Sequence, residues 1–80
     1  MFKLIDIKTH KELKVGDKVK TFRGENVQIE HLKPPQKPSS IGHVSVKFLD
    51  NGLVREFYVN VIGGQYVKEL SNSGIGVIND

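Results

Sequence analysis

Apolar and polar residues alternate through `VSVKFLDNGLVREFYVN`, residues 44–60, with the two-residue period of a strand buried on one face. Asn51-Gly52 interrupts the alternation. This dipeptide is the preferred centre of a type I′ hairpin turn, because both residues tolerate the positive φ that the turn requires. With Asp50 and Leu53 flanking it, the turn predicts a register. Phe48 faces Arg55, Val46 faces Phe57 and Val44 faces Val59 on one side. Leu49 faces Val54, Lys47 faces Glu56 and Ser45 faces Tyr58 on the other. Apolar groups gather on the first face, and a Lys–Glu pair sits across the second.

The same period recurs upstream. `NVQIEHL` sets Val27 and Ile29 against Gln28 and Glu30, and `VGDKVKTF` sets Val19 and Thr21 against Lys18, Lys20 and Phe22. Three prolines in `KPPQKPSSIG`, residues 33–42, deny that segment a continuous hydrogen-bonded ladder, so it reads as an exposed loop. `NVIGG` predicts a tight turn into a last strand, `QYVKEL`. `THKEL` fits a capping box from Thr9 to Glu12, but Val15-Gly16-Asp17 limits it to a short helical turn or a plain loop. Five short strands with glycine-rich corners predict an all-β fold, a small partly open barrel with at most one short helical turn. The expected organisation is a single domain over residues 1–70 and a flexible tail over 71–80, whose Ile75, Val77 and Ile78 are candidates to dock on the barrel or on a partner.

Composition narrows the chemistry. Eighty residues suit one domain with a modest core. Cysteine is absent, which excludes disulfides and thiolate catalysis and fits a reducing, cytoplasmic setting. Lys3 and Asp6 break the apolar opening before it makes a signal-peptide core, and no run approaches a membrane span. The net charge of +3 is unevenly spread. Residues 1–38 hold nine Lys/Arg against five acids, whereas residues 39–80 hold three against four. The basic excess therefore lies in the first half, available to a polyanion or simply to solvent.

`L-x-x-G-D-x-V`, Leu13 to Val19, resembles the first strand of SH3-like barrels, including the KOW-type modules of transcription and translation proteins. Over Leu13 to about Val67, `GDKVKTFRGE`, `KPPQKPSSIGHVSV` and `REFYVNVIGGQYV` resemble a group of small phage-associated proteins of unknown function. The first strand and the tail beyond Leu70 lie outside the resemblance. It implies an SH3-like, phage-encoded accessory protein, acting in the host cytoplasm, and brings no catalytic residues. The KOW pattern does not continue after Phe22, which argues against a ribosomal or elongation-factor role.

Candidate chemistry is sparse. His31 and His43 bracket the proline loop, but a metal site needs a third ligand, and strand alternation points Glu30 away from His31. Ser39 and Ser40 have no fixed base nearby, and Gly63-Gly64 lacks the spacing of a phosphate-binding loop. No enzyme, metal or cofactor is expected on these grounds. Lys33 and Lys37 on a proline-stiffened loop, with Lys18, Lys20 and Arg23 nearby, suit phosphate contacts, and Phe22 or Tyr58 offers a ring for stacking. The plainer alternatives make Phe22 a core residue, Tyr58 an outer-face cover for Ser45 and Lys47, and Arg23 a corner anchor paired with Glu25, Glu56 or the C-terminal backbone. The sequence thus favours a non-enzymatic module that binds nucleic acid weakly and without sequence preference through Lys18, Lys20, Arg23, Lys33, Lys37 and Tyr58. The alternative is a protein-binding module that inhibits or redirects a host factor.

Overall fold

The protein was analysed as a computed structural model, which describes residues 2–68. The predicted tail, with its docking candidates Ile75, Val77 and Ile78, lies outside the described residues. The fold is all-β, built from two antiparallel sheets that pack into a partly open barrel. In chain order the strands are β1 (Phe2–Asp6), β2 (Glu12–Leu13), β3 (Lys18–Lys20), β4 (Asn26–Lys33), β5 (His43–Phe48), β6 (Val54–Tyr58) and β7 (Gly64–Lys68), with a 3₁₀ turn over Val59–Ile62 before β7. One sheet has the order β2-β1-β7, the other β3-β4-β5-β6.

Alternation decides what each strand buries. In the first sheet Leu4 stands opposite both Leu13 and Tyr66, and all three are buried. In the second, Val27, Ile29, Val44 and Val46 point inward to meet them, joined by Val59 and Ile62 from the 3₁₀ turn. The Leu13–Val19 segment is the corner that carries the chain between the sheets. The Asp17 carboxylate accepts the Lys14 N–H at 2.9 Å, and the Ile29 N–H donates to the Asp17 carbonyl at 2.9 Å. Leu13 thereby ends one sheet and Val19 enters the other, half-buried beside Val27.

Three expectations are corrected. `THKEL` forms no helical turn: Thr9 sits in a turn whose amides are held by the Asp6 carboxylate, and Glu12–Leu13 pairs with β1. The regular alternation of β4 is broken by a bulge between Ile29 and His31, which makes Leu32 the next inward residue and turns His31 and Lys33 outward.

The hairpin is real, but its register is displaced by two residues. Val46 faces Arg55, Val44 faces Phe57, Lys47 faces Val54 and Ser45 faces Glu56. The Phe48 N–H donates to the Leu53 carbonyl at 2.7 Å and the Gly52 N–H to the Phe48 carbonyl at 2.8 Å, so the loop holds four residues. Gly52 takes a positive φ of 74°, but Asn51 does not; its side chain accepts the Leu53 N–H at 2.9 Å instead. One left-handed residue, a glycine, suffices for this loop, whereas a type I′ turn centred on Asn51-Gly52 would hold Asn51 at positive φ as well. A slip of two preserves every residue's face, so the buried set survives while the cross-strand partners change.

Candidate nucleic-acid interface

The outward face of the four-stranded sheet follows from the register. One row across it reads Lys18, Gln28, Lys47, Val54. Lys20 stands beside Asn26 at the end where both hairpin turns lie. Beyond the bulge the rows are His31, Ser45, Glu56 and then Lys33, His43, Tyr58. The predicted Lys18, Lys20, Lys33 and Tyr58 therefore share one face, although no two of them are near in sequence except the first pair.

The chemistry differs along that face. At the far end Lys33 donates to Glu56, the ion pair found among the described residues. That ammonium is the main reason the Glu56 carboxyl is held below the ordinary carboxylate range. The predicted Lys47–Glu56 pair does not form, because the two-residue slip moves Glu56 opposite Ser45 and within reach of Lys33. At the turn end, no carboxylate among the described residues pairs with Lys18, Lys20 or Lys47. Lys18 and Lys20 line, with Val19, Asn26, Leu49 and Asp50, an open depression of ≈ 390 Å³, and Lys47 stands in the same row as Lys18, across Gln28.

Phe22 is not a core residue. Val19 is half-buried and Thr21 buried, and the alternation leaves Lys18, Lys20 and Phe22 exposed, Phe22 at 74%. The corner is held without it. Thr21 donates its hydroxyl to Glu25 and accepts the Arg23 and Glu25 amides, and the Phe22 N–H donates to the Val61 carbonyl at 2.8 Å. Arg23 forms no ion pair with Glu25 or Glu56, and its third expected partner, the C-terminal backbone, lies outside the described residues. Glu25 is engaged by Thr21 and Glu56 by Lys33, while the Arg23 guanidinium lies 5.6 Å from the centre of the Phe22 ring.

Tyr58 does lie on the outer face, but it covers His43 rather than Ser45 and Lys47. The two rings stack with centroids 4.3 Å apart, and Tyr58 remains 54% exposed. Lys37 is exposed on the proline loop and lines an open recess of ≈ 290 Å³ with Lys33, Ser40 and His43. His31 and His43 fall on neighbouring strands, two positions out of register. Among the described residues no group of three metal-ligating side chains is assembled.

The proline loop is fixed by a residue that the sequence reading passed over. The Tyr66 hydroxyl accepts the Lys33 N–H and donates to the His43 carbonyl, both at 2.8 Å, so it clamps the two ends of the loop. Burial is the larger influence on this phenol and pushes its ionisation upward. No sequence signal marks Tyr66, because its partners are backbone groups on two other strands. The availability of Lys47 was also hidden, since it depends on the register.

No match to this chain was found among protein-family models, curated proteins or solved structures. No described helix is long and apolar enough to cross a membrane.

Proposed function

We propose that the protein is a non-enzymatic binding module that holds nucleic acid weakly, without sequence preference, on the outward face of β3-β4-β5-β6, in a phage-type accessory role motivated by the sequence resemblance. The observation that carries this reading is the cluster of Lys18, Lys20 and Lys47 on one face, with no carboxylate paired to them among the described residues, beside the exposed Phe22–Arg23 corner. Lysines suit the sequence-independent part of recognition: they meet phosphates as point charges, and a phosphate contact carries no sequence information. A net charge of +3 keeps the affinity low. Lys33 contributes least, because its charge is already met by Glu56.

The test is a titration of labelled DNA at several salt concentrations. Each phosphate contact adds roughly one to the steepness of log K against log salt, so replacing Lys18, Lys20 and Lys47 together with Ala flattens the slope by about 2–3 and weakens binding. Binding indifferent to salt, or unaltered in the triple variant, rejects the proposal.

Exposed Leu49, Leu53 and Val54 around the β5–β6 turn, on an edge strand, favour the second reading, a protein partner. A defined partner bound equally well by the triple lysine variant, with no DNA binding by the wild type, would establish that alternative.

A further inference from the structure

We infer that the free edge of β7 is a docking surface for the chain's own C-terminal segment, residues 75–78 adding to it as a further antiparallel strand beside an apolar groove. The inference is independent of the basic-face reading and concerns the other sheet.

Hydrogen-bond phase identifies which groups of β7 lack a partner. In an antiparallel pair, opposed residues that exchange bonds alternate with opposed residues that do not. The Ile7 N–H donates to the Gly63 carbonyl at 2.9 Å, and the same phase continues through the pairs Ile5–Gln65 and Lys3–Val67. Leu4 and Asp6 turn their backbone groups the other way, toward β2, and the Asp6 N–H accordingly donates to the Lys11 carbonyl at 2.9 Å. By this phase Gly64, Tyr66 and Lys68 aim their backbone groups away from β1. β7 is the last strand of its sheet, and among the described residues no backbone–backbone bond reaches any of the three from that side. Lys68 is exposed to water, but Gly64 and Tyr66 are buried. Buried backbone groups in folded proteins are nearly all paired, so this edge calls for a strand.

Gly64 and Tyr66 also line an open groove of ≈ 420 Å³. Its other walls include Ile7, Pro35, Ile41 and Val59, and Ile7 and Ile41 are each 49% exposed. A strand seated here therefore gains by carrying apolar side chains. The chain itself supplies one. Residues 69–80, `ELSNSGIGVIND`, follow directly from β7, and Ser71, Asn72 and Ser73 are turn formers. A reversal centred on Ser71-Asn72 sets Ile75 opposite Lys68, Val77 opposite Tyr66 and Ile78 opposite Gln65. All three apolar residues then lie along the unpaired stretch. Covalent linkage gives this segment an effective concentration of about millimolar at the edge, well above that of a separate partner in dilute solution.

Amide hydrogen exchange on the full chain reads the phase directly. The Tyr66 and Lys68 amides are expected to exchange within about tenfold of those of Gln65 and Val67, at every protein concentration tested. Replacing Ile75, Val77 and Ile78 together with Ser should speed exchange at Tyr66 and Lys68 by about tenfold or more, and leave Gln65 and Val67, which bond to β1, unchanged. Ile41→Ser, on the groove wall, should act in the same direction. Because the chain has no cysteine, Gln65→Cys with Ile78→Cys forms a unique pair, which mild oxidation should close within one chain. Tyr66 and Lys68 amides that exchange freely in the wild type, or that stay protected in the triple Ser variant, overturn the inference. Protection that rises with protein concentration, or a disulfide that forms only between chains, also overturns it, since a second copy then occupies the edge.

Discussion

Tyr66 shows how one polar atom organises the loop beside the candidate interface. Its hydroxyl bridges the Lys33 amide and the His43 carbonyl, and its ring lies against Gly42. Tyr66→Phe leaves those two backbone groups without their partner and is expected to cost about 1–3 kcal/mol in urea unfolding. The pH dependence has a definite sign. Burial raises the pKa of the phenol in the folded state above its ordinary 10.0. The folded protein therefore holds this proton more tightly than the unfolded chain does. The resulting stability is fully present below the unfolded value and is lost as pH rises through the folded one. Wild-type stability should fall above about pH 10 by more than that of Tyr66→Phe. Equal alkaline losses in the two proteins would refute the argument, as would a Phe variant as stable as the wild type.

Among the elements, the β5–β6 hairpin separates what a local pattern encodes from what it does not. Alternation at Val44, Val46, Phe48 and Phe57 identified the inward face correctly, because a face depends only on parity. The turn dipeptide did not fix the register. Asn51 has two ways to serve a turn, by adopting positive φ or by accepting a neighbouring N–H, and the second prevails here. Three errors at the candidate site descend from that choice or from the bulge in β4: the partner of Glu56, the freedom of Lys47 and the ring beneath Tyr58. Two glycines measure what such positions require. Gly52 has φ 74° and open space where a Cβ would project, so Gly52→Ala should cost only the left-handed penalty of about 1–2 kcal/mol. Gly42 has φ 86°, and its Cβ would stand 2.5 Å from the Tyr66 ring, so Gly42→Ala should cost clearly more and should loosen the proline loop. Urea midpoints of the two variants, with hydrogen exchange at Lys33, give the comparison, and equal destabilisation would contradict it.

At the scale of the molecule, the all-β class and the inward residues of four strands were legible because each depends on neighbours a few positions away. The closure of the fold was not, since β1 pairs with β7 and brings Phe2 opposite Lys68. No periodicity announces a pairing between the ends of the described chain. Leu4 sits at the centre of that closure, fully buried between Leu13 and Tyr66, and Gly64 leaves space for its side chain. Leu4→Ala should cost about 2–5 kcal/mol, a large part of the total stability of so small a domain. Leu4 touches nothing on the outward sheet face, so its effect on binding must pass through folding. In the Leu4 variant the melting temperature should fall, and DNA binding should be lost at the same lowered temperature as the fold. In the triple lysine variant, affinity should fall while melting stays within a few degrees of wild type. Parallel melting and circular dichroism of both variants, set beside their DNA titrations, separate the scaffold from the surface it displays. A Leu4 variant that melts like the wild type would show that the β2-β1-β7 sheet is not what holds the four-stranded face in place.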